Sequence, residues 1–337
     1  LWNLVWKDEK MKITMAHGSG GTASHQLMEE IFAPYFHNPI LDLREDAAIL
    51  SMEKGNYAMS TDTFVVTPLF YSGGDIGKLS VCGTVNDLCC MGARPQYMTC
   101  GFILEEGLSF EVLERVVKSM AGTAKGAGIR LVAGDTKVID GQGGLYINTT
   151  GIGRIPEGRQ VRGANLAPGD AVLVTGVLGE HHATILSHRM NIENQIQSDN
   201  APLNGLVEAL FDAKLHPKAM RDITRGGLGT VLHELAQSSK AGVLIEEEKL
   251  PVSPAVQGFA EILGLDPLYM GNEGKLVVVV PWEERERALS LIRSQELGRE
   301  AALVGQVIQG EGVELKTRLG GTRRVPPLVG EGLPRIC

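Results

Sequence analysis

The chain has 337 residues, 43% hydrophobic and 21% charged, with 32 basic against 40 acidic side chains and a formal net charge of −8. A length of this order corresponds to about two domains and to a core that needs no disulfide or metal staples. The acidic balance (pI about 5.6) and the 5% aromatic content exclude a bulk nucleic-acid binder with a basic face or a base-stacking platform. Glycine is abundant, 42 of 337. In an acidic globular chain such an excess points to tight turns and to loops whose backbone approaches a ligand closely.

Residues 1–10 read as an upstream extension or expression remnant, with a natural start at Met11-Lys12-Ile13. Thr22 is expected to cap a helix reaching about Phe36, with Leu27, Ile31 and Phe32 on one face. Strands follow at 47–52 and 57–61, a helix at 75–91 and a strand at 97–104. Ser109 opens a helix in which Phe110, Leu113, Val117, Met120 and Ala124 recur at helical spacing. Further strands are expected at 129–133 and 145–155. The stretch 156–170, rich in Gly, Pro and Arg, marks a boundary between domains of residues 11–158 and 159–319. In the second domain the spacing predicts strands at 171–175, 243–247, 276–280, 304–308 and 313–317. Helices are predicted at 180–190, 203–212, 228–238 and 282–294, and another opens at Ser253-Pro254. Residues 320–337, with little periodic hydrophobicity, read as a mobile tail. No apolar run reaches the roughly 18 residues of a spanning helix, so no membrane partner is expected.

Five cysteines without a secretion signal fit a reducing, cytoplasmic setting. Cys82, Cys89, Cys90 and Cys100 read as small buried hydrophobes, whereas Cys337 is the last residue. Asp46, Asp62, Asp87 and Asp135 each sit where an apolar segment meets a loop. Hard oxygen donors of this kind suit Mg²⁺ shared with phosphates. Taken singly, each also fits a turn or a cap, and separations of 16, 25 and 48 residues leave their convergence to the fold. Two glycine loops, His17-Gly18-Ser19-Gly20-Gly21-Thr22 and Thr224-Arg225-Gly226-Gly227-Leu228-Gly229, precede helices. Helix N-termini with bare backbone N–H groups attract anions, although glycine before a helix is also common.

Asp46-Ala47-Ala48, Ser60-Thr61-Asp62-Thr63, Asn86-Asp87-Leu88 with Met91-Gly92-Ala93-Arg94-Pro95, Gly134-Asp135-Thr136-Lys137 and Asp222-Ile223-Thr224-Arg225-Gly226-Gly227-Leu228 together resemble the ATP-dependent superfamily of aminoimidazole ribonucleotide synthetase. Within it, His17-Gly18-Ser19-Gly20-Gly21, Gly271-Asn272-Glu273-Gly274 and Pro334-Arg335-Ile336-Cys337 are similar to the carbamoyl dehydratase family of nickel–iron hydrogenase maturation factors. The resemblance spans residues 11–337. It departs at Glu45, where the family more often has Asp, and at Cys89 and Cys90, where small or apolar residues are usual.

The resemblance implies a two-domain aminoimidazole ribonucleotide synthetase-like α/β (α+β) fold. Its N-terminal domains would pair into a barrel across a homodimer, and residues 320–337 would form a flexible tail ending in the carrier cysteine. It implies that a partner carbamoyltransferase loads Cys337 and that ATP drives dehydration of the S-carboxamide to an S-thiocyanate. An iron-scaffold maturation complex would accept the cyanide. The implied cofactors are ATP and Mg²⁺. The implied metal ligands are Asp46, Asp62, Asp87 and Asp135; with Thr63, Asn86, Gly226 and Gly227 these would bind the nucleotide. Cys337 would carry the substrate, Lys137 stabilise phosphoryl charge, and Glu273 remove the N–H protons or orient the group that does; His17 is a further candidate. The rival readings are a superfamily synthetase or kinase acting on a free small molecule, of the selenophosphate synthetase or thiamine-phosphate kinase kind, and a non-catalytic maturation scaffold.

Overall fold

The first domain is built on a sheet whose strands alternate small polar residues with buried apolar ones. In the computed structural model, which describes residues 11–328, α1 (Gly21–Leu27) and α2 (Ala33–Phe36) are separated by a π-helical turn, Met28–Phe32. The helix expected to reach about Phe36 therefore does so, running on through the π turn, but its N-cap is Gly20, not Thr22. Gly20 and Gly21 both hold positive φ, and Pro34 brings no N–H to the helical ladder, which shifts the hydrogen bonding just before it. Residues 47–52 form no strand either. Ile49 is 82% exposed there, and no described strand lies alongside to satisfy an extended backbone.

The chain continues through β1 (Asn56–Phe64), the short β2 (Phe70–Tyr71) and β3 (Gly74–Asp75), α3 (Ile76–Cys90), β4 (Arg94–Glu105), α4 (Phe110–Ala127), β5 (Arg130–Ile139) and β6 (Leu145–Ile155). The sheet order is β1-β6-β4-β5, with only β4 and β5 parallel. One face carries α3 and, beside it, α4. Asp75 starts α3 by accepting from the Gly77 and Lys78 amides at 2.8 and 3.1 Å, and Ser119 of α4 donates to its other oxygen at 2.6 Å. α3 is buried almost all round, since the sheet, α4 and the second domain enclose it. All four cysteines of the described part are buried, and burial pushes their thiols up, which leaves them unreactive.

The opposite face of the sheet has no cover among the described residues. Register places Thr61, Thr150 and Thr99 in one row across it, and Thr63, Asn148, Gly101 and Asp135 in the next. Met59, 72% exposed, and Ile103, 44% exposed, flank these rows.

The second domain comprises β7 (Ala171–Val174), α5 (Glu180–Met190), α6 (Asn204–Asp212), β8 (Ala219–Asp222), α7 (Gly227–Ser239), β9 (Gly242–Glu246), α8 (Pro254–Leu263), β10 (Leu276–Val280), α9 (Arg285–Ser294), β11 (Ala302–Ile308), β12 (Val313–Lys316) and β13 (Thr322–Arg324). Its sheet runs β13-β12-β9-β11-β7-β10-β8, antiparallel except between β9 and β12. β10, Leu276 followed by four valines, is buried at every position between β7 and β8. Each such side chain contributes roughly 1.5–3 kcal/mol of hydrophobic stabilisation. β8 and β13 escape the sequence pattern because four and three residues are too few to show a period.

β13 also corrects the start of the mobile tail expected from residue 320. It pairs with β12, Val325 is buried, and the Tyr269 hydroxyl donates to the Pro326 carbonyl at 2.6 Å. Residues 329–337 of the expected tail, including Cys337, lie outside the described residues, as does the extension at 1–10.

Candidate active site

The two domains meet at the C-terminal half of α3, and there the acidic side chains gather. Asp62 on β1 points to the helix side of the sheet, where Thr84 of α3 donates to it at 3.0 Å. Ser60, two residues earlier and on the same face, donates to Asp87 of α3 at 2.5 Å. The second domain brings Asp222, the last residue of β8, and Glu273, in the loop leading into β10. Burial raises the proton affinity of Asp62, and the Asp87 charge adds to this. Asp222 is pushed to about 7 by burial and then by Asp87, with Arg221 opposing. Glu273 is held well above the ordinary carboxylate range by burial, then by Asp222, Asp199 and Asp62, while Arg225 pulls the other way. A seam of this kind binds cations, or it retains protons that a neutral-pH reaction can move.

The loop carrying Glu273 is fixed by its hydrogen bonds. The buried Asn272 accepts from the Gly179 amide at 2.7 Å and donates to the Ile223 and Met270 carbonyls at 3.1 Å. Asn86, expected to touch the nucleotide, has its side chain turned to protein backbone: it donates to the Ala201 and Glu273 carbonyls at 3.1 and 3.3 Å and accepts from the Leu203 amide at 2.8 Å. It ties the domains together and supports Glu273 from behind.

The structure does not gather the four expected metal ligands in one place. Asp46 and Asp135 share the wall of a cavity of about 360 Å³ with Phe32, Phe36, Phe102 and Leu131. Asp62 lies on the opposite edge strand, in register through Thr149 and Cys100 with Gly134. Three inter-strand spacings separate these edges, about 14 Å. Asp62 and Asp135 also face opposite sides of the sheet. Among the described residues no group of three or more His, Cys, Asp or Glu could hold a metal ion. Lys137 stands two residues beyond Asp135 on the open face and pairs with it at 3.4 Å, both exposed. Thr63 is on that face too and accepts from Asn148 at 3.1 Å. His17 is engaged locally, accepting from the Thr14 amide at 2.9 Å with its ring edge-on to Phe110.

Gly226 and Gly227 open α7 as expected, but the close neighbour in this structure is protein. Gly227 has φ +61, and a Cβ there would lie 2.6 Å from the backbone of Leu268 and Tyr269. Gly227→Ala is expected to destabilise the chain by several kcal/mol, on the order of 3, through left-handed strain and displacement of the 268–270 backbone. Chemical denaturation measures this, and a loss below about 0.5 kcal/mol would contradict the packing account.

Sequence reasoning passed over Asp222, Arg225 and Asp199 as site residues. Asp222 and Arg225 stand inside a run already singled out for its glycines; Asp199, in an irregular segment, carries no sequence signal at all.

Fold and seam together define a two-domain protein of the AIR synthase kind. Residues 44–155 match the N-terminal domain family of AIR synthase related proteins, and residues 167–318 match the C-terminal domain family. The carbamoyl dehydratase HypE of Azotobacter vinelandii is 47% identical over 331 residues, covering 96% of this chain and 97% of that protein. The crystal structure of the hydrogenase maturation protein HypE in complex with ATP superposes with a TM-score of 0.91 at 45% identity, over 96% of this chain and 99% of that one. HypE in the HypE–HypF complex superposes at 0.79 and 46% identity, over 90% of this chain and 99% of that one. The chain belongs to the HypE family of carbamoyl dehydratases. No helix among the described residues is long and apolar enough to cross a membrane.

Proposed function

We propose that this chain dehydrates a carbamoyl group carried on its own Cys337, using ATP. Near-complete coverage by relatives of that name supports the activity, and a HypE crystallised with ATP supports the nucleotide. The observation that carries the chemistry is Glu273: a buried carboxyl at the domain seam, its proton affinity raised, on a loop with no slack in its hydrogen bonding. An amide oxygen is a poor leaving group. Its transfer to the γ-phosphoryl of ATP forms a C–O–P linkage and releases ADP. Loss of the nitrogen-bound protons and departure of phosphate then convert S–C(=O)NH₂ into S–C≡N.

Glu273, whose proton affinity is raised by burial and by the neighbouring Asp222, Asp199 and Asp62, receives the N–H proton. Lys137, on the open sheet face away from Glu273, would neutralise developing phosphoryl charge from a second copy of the chain in the proposed homodimer. The donor set fits a magnesium ion: this ion commonly uses one or two carboxylates and completes its shell with phosphate oxygens and water, so no preformed protein cage is required. Asp62 and Asp87 would hold one such ion, and Asp46 and Asp135 a second. When bound, the metal offsets phosphate charge and fixes the nucleotide. The amides around Gly226 and Gly227 complete the nucleotide contacts at the seam, and Thr63, on the open face, would add its contact from a second copy of the chain in this reading.

The loading partner is a carbamoyltransferase, in line with the HypE–HypF complex, and an iron-scaffold maturation complex accepts the cyanide. The homodimer reading rests on the uncovered sheet face, whose rows of threonine and asparagine, charged only at the Asp135–Lys137 edge, and exposed Met59 and Ile103 fit a second copy of the same sheet. All of this chemistry takes place in the cytoplasm.

Intact-mass analysis of the peptide bearing Cys337 tests the function. With carbamoyl donor, partner and ATP, the peptide gains one carbamoyl group and then loses one water; a non-hydrolysable ATP analogue stops it at the first product. Cys337→Ala abolishes both mass changes. Turnover of a free small molecule by that variant, at the rate of the unmodified chain, would place the protein among the superfamily's small-molecule kinases or synthetases instead.

A further inference from the structure

Between α5 and α6 the chain runs as an irregular strap, residues 191–203, across the seam. Its neighbours pin it on both sides. The Ser198 amide donates to the Ser72 carbonyl of the first domain at 2.9 Å, and its hydroxyl meets His181 Nδ1 of α5 at 2.8 Å. Asn200 donates to the Tyr71 hydroxyl at 3.2 Å. Between them sits Asp199, whose side chain is wholly inaccessible to solvent. One carboxylate oxygen accepts from the Glu273 amide at 3.1 Å, the other from the Gly274 amide at 3.0 Å. Lys275 Nζ lies 3.8 Å away and is shared with Glu180 at 3.9 Å. The approach is close: a Cβ on Gly274 would lie 1.9 Å from the Asp199 carbonyl oxygen.

A buried carboxylate is costly unless donors surround it. Here both oxygens are spent on two consecutive amides, the first being that of the residue read above as the base. We infer that Asp199 is a positioning residue for the dehydration, its carboxylate clamping the Glu273–Gly274 backbone so that the Glu273 side chain is delivered to the seam in one orientation. The inference rests on the assignment of Glu273 as the base. Other contacts hold the loop as well, from Asn86 behind and His182 and Ile223 at its start, but only Asp199 accepts from the Glu273 amide. An amide cannot replace it. Asparagine accepts one N–H through oxygen but turns an NH₂ group toward the second, donor against donor.

The test compares Asp199→Asn, Glu273→Gln and the double variant as full chains with partner, carbamoyl donor and ATP. Asp199→Asn is expected to keep carbamoyl loading of Cys337 and to hold the KM for ATP within about twofold, while kcat for water loss falls between about 10- and 100-fold. The double variant is expected to be no slower than Glu273→Gln alone, because a residue acting through Glu273 has nothing left to position. Asp199→Ser, which retains one acceptor without the opposed donor, should recover part of the lost rate and serves if the asparagine variant folds poorly. Unchanged kcat in both Asp199 variants, or a double variant slower than Glu273→Gln by the full Asp199→Asn factor, overturns the inference. Full activity of Glu273→Gln overturns it by a different route, since the assignment of the base then fails first.

Discussion

Glu273→Gln is expected to lower the rate of dehydration by about 10²- to 10⁴-fold, the usual range for removing a positioned general base. ATP binding and carbamoylation of Cys337 should persist, because neither requires a proton acceptor at the seam. The carbamoylated peptide then accumulates and mass analysis finds it without loss of water. The pH profile carries a second signature. Burial raises Glu273 above its ordinary carboxylate value of 4.5, with Asp222, Asp199 and Asp62 adding to the effect. The ionised form is the base, so the rate of the unmodified protein should rise with pH through an acid limb displaced upward from the usual carboxylate range. That limb disappears in the glutamine variant. A variant that dehydrates at the normal rate, or that keeps the limb, would remove Glu273 from the chemistry.

The second large effect concerns stability. Asp222 has a folded-state value of about 7 against 3.8 for the free side chain, mainly from burial and then from Asp87. The folded chain therefore binds this proton more tightly than the unfolded chain does. The associated stabilisation is full below about 3.8 and is lost as pH rises through about 7. Above that, the native seam contains a buried charge that the unfolded chain keeps in water. Asp222→Asn removes the charge and retains the shape. Without nucleotide or divalent cation it should be more stable than the unmodified chain by about 2–4 kcal/mol at pH 8 and nearly equal to it at pH 3.5. Urea denaturation at the two pH values reads the difference. Equal differences at both would show that Asp222 is not the group whose ionisation strains the seam.

Long elements with a strong period were legible from the residues alone. α5 and β6 begin and end where the spacing places them, and α3, expected over 75–91, runs from Ile76 to Cys90 with Asp75 as its cap. The 47–52 segment shows the limit of such reading: an apolar run has strand propensity, but a strand also needs a neighbour, and neighbours are a property of the fold. The site divides in the same way. Glu273 could be singled out from a motif, and it lies at the seam. The division of Asp62 from Asp135 could not be read, because it depends on strand order and on which side of the pleat each occupies. Asp199 was invisible for a deeper reason. It sits 74 residues from Glu273 in a segment with no period, and its meaning exists only once the strap is laid across both domains.

The anchoring of Pro326 by Tyr269 sets a leash. Tyr269 stands four residues before Glu273, so Pro326 is tied to the same short stretch of backbone that carries the proposed base. Eleven residues, 327–337, separate that point from the carrier sulfur inclusive, and fully extended backbone covers at most roughly 36–40 Å over such a length. In the function proposed above, the Cys337 sulfur would therefore meet its loading enzyme, the nucleotide and the cyanide acceptor no further than that from Pro326. Toward the chain's own nucleotide site, a tether of that length would set a local thiol concentration on the order of millimolar, so that this one meeting, unlike those with the partner proteins, would be an intramolecular search.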